Sequence, residues 1–405
     1  MNPPNAFALV VDEWFDGERR HAGRTTMTVV DGRLADVTTG DHAAALGAQG
    51  WPVQRCAFVM PGLVDSHVHL FLDGATTDAK LRSEHLKQPL EALTATARRS
   101  AAQALACGVT LVRDGGDRHA INHRLREEAR VPGSAMAQVR SIGLGVKRAK
   151  RYGAFMATDV GDDDSIRASV RELARSSDEI KLILTGIIDF DAGAVTDEPQ
   201  FTLEEARSVV ETAHAAGRRV MAHCSGLKGL ATATAAGVDS IEHGFFMDPA
   251  TLALMRDRDL AWTPTFCPVH FQWAHPSAAG WPAQTVGHLR RILDAHAEHL
   301  HLAHWMGVRL LMGTDAGSMG VEHGAAMADE IDRFLDAGLP MAAVLQAATS
   351  EPRRHFGDPH PLLATGTPFE AVQFAASPFA DRQVLRHPQR VWARSLPEPL
   401  APAAH

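Results

Sequence analysis

Between residues 62 and 317 the chain alternates short apolar runs with longer stretches of helical periodicity, and does so eight times. The runs are GLVDSHVHL (62–70), VTLVRDGG (109–116), AMAQVRSIG (135–143), EIKLILTG (179–186), RRVMAHCSG (218–226), VDSIEHG (238–244), LAWTPTF (260–266) and VRLLMGTDAG (308–317). Each is short, and most end at turn-forming or polar residues, which reads as a buried strand. The intervening segments read as helices. In LEEARSVVETAHAA (203–216), Thr202 is placed to cap the start, Glu205 completes a capping box, and Gly217 stops the helix. Eight such units in series predict an α/β fold, a (β/α)8 TIM barrel. A doubly wound open sheet is the competitor, but no glycine-rich phosphate loop follows the first strand. With 405 residues, 45% of them hydrophobic, the chain can fill a barrel and one smaller unit.

That smaller unit is expected at the ends. TTMTVVDGRLADVTTGD has β-branched runs around Asp31-Gly32, a hairpin signal. FEAVQFAAS and RVWARS near the other end also read as strands. The expected organisation is a discontinuous β-sandwich domain from residues 1–60 and 362–405, flanking a barrel of residues 61–361.

The net charge of −8, with no long run of either sign, argues against a nucleic-acid partner. Cys56, Cys107, Cys224 and Cys267 lie far apart without CxxC spacing, as expected of free thiols in a reducing compartment. The N-terminus shows no basic segment followed by a long apolar core, and no apolar run approaches the ~18 residues of a membrane span. A cytoplasmic protein acting on a small molecule is expected, with no membrane partner and with a homo-oligomer left open.

In a barrel of this kind, chemistry gathers at the C-terminal ends of the strands. Alternation puts His67 and His69 on one face of the first strand. The fourth run, IKLIL, contains Lys181, although lysine is among the residues least often buried. The fifth ends at His223, the sixth at His243 and the eighth at Asp315. Imidazoles and a carboxylate converging on a barrel mouth suit zinc or a similar divalent ion.

In this order and these strand contexts, His67-Val68-His69, Lys181, His223, His243 and Asp315 resemble the ligands of the amidohydrolase superfamily. MPGLVDSHVH, SIEHG and GTDAG are similar to its recurring phrases. The nearest subgroup is the prolidase-like and ochratoxinase-like enzymes with two metals. The resemblance implies that CO2 carboxylates Lys181 and that the carbamate bridges two divalent ions, Zn2+ being the first expectation. It implies that His67, His69 and Asp315 hold the more buried ion and that His223 and His243 hold the other. A bridging hydroxide would attack an amide or peptide C–N bond, and Asp315 would pass its proton to the leaving nitrogen. Lactone or other cyclic amide or ester hydrolysis with the same metals is an alternative. A one-metal deaminase or imidazolonepropionase-like enzyme is less compatible, since His223-Cys224-Ser225-Gly226 lacks the expected Glu.

The subgroup's Gly-Gly-His-Gly phrase after the third strand is missing. GVKRAKRYGAFM (145–156) stands there, and its loop is expected to grip a substrate carboxylate through Arg148, Arg151 and Tyr152, with Lys147 and Lys150 beside them. His323, in VEHG, matches a subgroup His-Gly and is expected to face substrate. His296, His299 and His301 fall on a helical pattern and are read as a solvated face. Cys224 is read as a packing thiol, and Arg113-Asp114 as an internal ion pair.

Overall fold

The computed structural model describes residues 5–358, 362–394, 396 and 398–401. Eight strands fall inside the eight runs: Leu63–Val68, Val109–Asp114, Gln138–Ser141, Ile180–Ile183, Val220–Cys224, Ser240–His243, Ala261–Thr263 and Arg309–Leu310. Neighbours along the chain pair in parallel, except at the third strand, which is split. Gln138–Ser141 pairs with the second strand. The chain then resumes as Gly145–Arg148, and this segment pairs with the fourth. Single backbone bonds close the ring from the first strand to the last: Ser66 N to Met312 O (2.8 Å), Asp315 N to His67 O (2.7 Å) and His69 N to Ala316 O (2.8 Å). A closed ring excludes the open doubly wound sheet.

Two readings change here. The basic segment is not a free loop. Gly145–Arg148 is a strand, and Ala157–Val160 pairs beside it in parallel. Its charges obscured a Gly-Val pair that packs against the fourth strand, where Gly145 faces Lys181. A Cβ on Gly145 would stand 3.0 Å from Lys181 O, so the close pairing needs glycine there. The helix Ala283–Met306 forms as expected, but His296 lies on its inner side. It is 1% exposed, stacks on Phe245 at 3.9 Å, and bonds through Nε2 to Pro264 O at 3.0 Å. His301 stays exposed.

Strands from both ends of the chain form one six-stranded sheet. From edge to edge it runs Arg390–Trp392, Ala371–Phe374, Val53–Pro61, Ala6–Phe15, Arg20–Val30 and Arg33–Thr39. The Asp31-Gly32 hairpin is present with φ of 49° and 70°, as a two-residue turn between twisted strands requires. Buried Arg353 ties the sheet to the base of the barrel, bonding Gly62 O (2.9 Å), Thr110 Oγ1 (3.0 Å) and Glu370. The expected boundary at 361/362 abuts residues 359–361, which lie outside the described residues. Among the described residues no helix is long and apolar enough to cross a membrane.

Candidate metal centre and active site

The ends of strands one, four, five and six and the segment after strand eight meet at one point. The closest donor atoms of His67, His69 and Asp315 all lie within 4.8 Å of one another. Asp315 Oδ1 is 3.8 Å from the Nε2 of each imidazole. Lys181 Nζ stands 3.2 Å from His67 Nε2, and Lys181 is fully buried. The His243 ring lies 5.0 Å from His67 and 4.6 Å from His223. All six residues expected to ligate are thus brought together.

Surrounding groups fix how they point. His67 Nδ1–H donates to Glu242 (2.8 Å) and His69 Nδ1–H to Gly116 O (3.0 Å), turning each Nε2 toward the centre, where that of His67 meets Lys181 Nζ. His243 Nδ1 bonds the Thr265 hydroxyl at 2.8 Å. Ser318 Oγ donates to Asp315 Oδ2 at 3.1 Å. His243, Thr265 and Asp315 have φ of 69°, 53° and 54°. Left-handed backbone at non-glycine residues costs about 1–3 kcal/mol each and clusters at functional sites. Trp262 Nε1–H donates to His243 O (2.9 Å), and Asp315 N donates to His67 O, so the rest of the fold holds the strain.

Burial sets the charge states. It lowers the pKa of His67, His69 and His243 well below the imidazole range and brings His223 to about 3, so the rings are neutral, the ligand form. Burial also pulls Lys181 down to about 8, against the pull of Asp315, and pushes Asp315 up to about 7. Gly115 leaves the space between these groups open. A Cβ there would be 2.9 Å from Lys181 Nζ, 3.0 Å from His69 and 3.1 Å from His67.

Beside this cluster opens a cavity of about 190 Å³. Tyr152 lines it, its ring 5.1 Å from His223. The other residues expected to touch substrate have different partners. Arg148 pairs with Glu205 and lies over the Phe201 ring at 5.0 Å, and Arg151 donates to Glu198 O at 2.5 Å. Lys147 bonds Asp159, and Lys150 is exposed. Alternation along Gly145–Arg148 puts Lys147 and Arg148 on opposite faces of the strand, and each finds an acidic partner there. His323 sits behind the cavity wall and donates through Nε2 to Leu72 O at 3.2 Å.

Arg113 does not pair with Asp114. It reaches Glu179 (3.0 Å), Glu242 (2.8 Å) and Ser66 O (2.7 Å), while Asp114 accepts from the backbone of Leu70 and Gly116. Sequence reasoning missed Glu242, which links this buried network to His67; its signal was its place before His243 in SIEHG. Cys224 is fully buried and its thiol is pushed up by burial, as a packing residue should be.

The sequence profile of the amidohydrolase family matches residues 58–382. An uncharacterized protein of Mycobacterium tuberculosis is 29% identical over 366 residues, 90% of each chain. Ochratoxinase of Aspergillus niger is 26% identical over 238 residues, 56% of this chain and 47% of its own. Its crystal structure superposes with a TM-score of 0.79 at 20% identity, over 97% of this chain and 95% of that one. The crystal structure of a Xaa-Pro dipeptidase with methionine bound in its active site gives 0.82 at 23% identity, over 96% and 98%. Both structures have the same barrel with a β domain.

Proposed function

The chain belongs to the amidohydrolase family, and from that premise we propose that it hydrolyses an amide C–N bond of a small molecule using two divalent ions. The observation that carries this reading is the convergence of His67, His69 and Asp315 beside a buried lysine. The donor set fits a divalent ion. The imidazoles are neutral, their outer nitrogens are tied down, and Gly115 supplies a hollow that a Cβ would fill. His67, His69 and Asp315 would hold one ion, His223 and His243 the second, with zinc the first expectation from these donors. When bound, the ions supply positive charge that polarises a carbonyl and activates water.

The chain's own groups do the rest. The unprotonated Lys181 amine would add CO2, giving an anionic carbamate and a released proton, and the carbamate would supply oxygen ligands where the amine supplies none. A free ammonium at that place would repel two dications. Asp315 takes a proton from the attacking water and gives it to the leaving nitrogen, and Ser318 keeps the carboxylate oriented. Tyr152 and the apolar wall beside it position the substrate. The test is metal analysis of the protein reconstituted with zinc and bicarbonate, together with a hydrolysis screen over N-acyl amino acids, dipeptides and neutral amides. Two ions per chain and amide turnover are expected. Turnover of none of these, or full activity without metal, would reject the reading.

A further inference from the structure

The cavity beside the metal centre has an apolar wall away from the metal ligands, and among the described residues that line it there is no arginine or lysine. Ile187, Ile188, Phe190, Phe245 and Val269 line it. Among the described residues that line it, the ionisable side chains are His69, His223, His243, Asp315 and Tyr152. The cations around the mouth are committed elsewhere. Arg82, behind the shared residues Leu72 and Phe155, spends its guanidinium on the carbonyls of Asp73, Thr76 and Gly317. Lys147, Arg148 and Arg151 have the partners given above.

The wall is also built before any ligand arrives. Phe190 packs edge-on against Trp281 at 5.8 Å, and its carbonyl accepts from His288 Nδ1 at 3.1 Å. A carboxylate placed against such a wall would lose its hydration and find no cationic side chain in it. A ring or branched alkyl group would bury apolar area instead. Dry apolar cavities of roughly 150 Å³ already accept benzene, so about 190 Å³ takes one ring with part of the amide. The Tyr152 hydroxyl has no hydrogen-bond partner among the described residues, and it offers a neutral donor for an amide oxygen.

We propose that the substrate is an uncharged amide whose apolar substituent lies against Ile188, Phe190, Phe245 and Val269, and that a carboxylate at that end is rejected. This rests on the amide-hydrolase reading and narrows its substrate class. The test uses two matched pairs, one charged on each side of the amide: para-methyl and para-carboxylate acetanilide, and N-methylbenzamides with the same two para substituents. Binding is measured by calorimetry on metal-free and metal-loaded protein, and turnover on the loaded protein. In at least one pair the methyl member should bind tenfold or more tightly than its carboxylate partner. Ile187 is 61% exposed at the rim, so Ile187→Arg should fold, and it should shrink that ratio at least fivefold. Carboxylates that bind as well as their partners in both pairs, absence of binding by all four, or an unchanged ratio in Ile187→Arg would each overturn the proposal. Tighter binding of the methyl members with no turnover of any compound would remove the hydrolase reading and leave the apolar pocket standing.

Discussion

At the residue scale, the cluster leaves almost no slack, and this makes its predictions sharp. Gly115→Ala places a methyl group within about 3 Å of Lys181, His69 and His67. The variant should fold, by circular dichroism, yet hold less than one ion per chain under conditions that saturate the parent. Glu242→Gln keeps an acceptor for His67 but weakens the charge facing Arg113. Loss of an orienting partner of this kind typically costs 10–100-fold in metal affinity, which a competing chelator titration would read. Asp315→Asn should lower kcat by roughly 10²–10⁴-fold, the scale of a lost general base; activity within a few-fold of the parent would remove Asp315 from that role. Lys181 gives a pH signature. Its ammonium dominates below about 8, and only the free amine adds CO2. Recovery of apo-protein with metal at a fixed CO2 pressure should therefore accelerate as pH rises toward about 8 and level off above it. A rate flat between about pH 6 and pH 9 would count against carboxylation.

At the element scale, the strands were legible because each lies inside a short apolar run bounded by turn-forming or polar residues. His67 and His69 two residues apart, His223 and His243 at strand ends, and Asp315 in the segment after the last strand needed no long-range information. What could not be read was convergence between elements. Arg113 appears beside Asp114 in sequence, but its partners Glu179 and Glu242 come from two other parts of the ring. The basic residues of 147–152 looked available because nothing local shows Glu205 or the Glu198 carbonyl approaching them. In the helix Ala283–Met306, histidines occur on both faces, so the pattern does not tell His296 from His301. The buried His296 carries a consequence. Burial lowers its folded pKa from 6.5 to about 3, so the unfolded chain binds the extra proton between those values. Its contribution to stability is present above about 6.5 and is lost as pH falls toward about 3. His296→Leu should flatten that part of the stability–pH curve in urea titrations. At neutral pH it should cost about 1–3 kcal/mol, for the lost bond to Pro264 and the altered packing on Phe245. An unaltered acid slope would mean that other groups set it.

At the scale of the whole molecule, the sheet and the barrel are assembled from segments far apart in sequence. Val53–Pro61 pairs on one side with Ala6–Phe15 and on the other with Ala371–Phe374. It leads directly into Leu63–Val68, the strand that carries His67. A chain ending before residue 371 would keep every expected ligand but leave one side of Val53–Pro61 unpaired. Open strand edges recruit other chains, so such a truncation should sediment as aggregate where the full chain stays in the supernatant. The same arrangement bears on how the protein is made. At roughly 5–20 residues per second, a ribosome needs about 15–60 s to travel from the strand at 53–61 to its partner at 371–374. Throughout that interval the nascent chain displays a sticky edge next to the segment bearing His67 and His69. Slower translation, as in a cooled host, lengthens that exposure, and chaperone occupancy during elongation then governs the yield of intact enzyme.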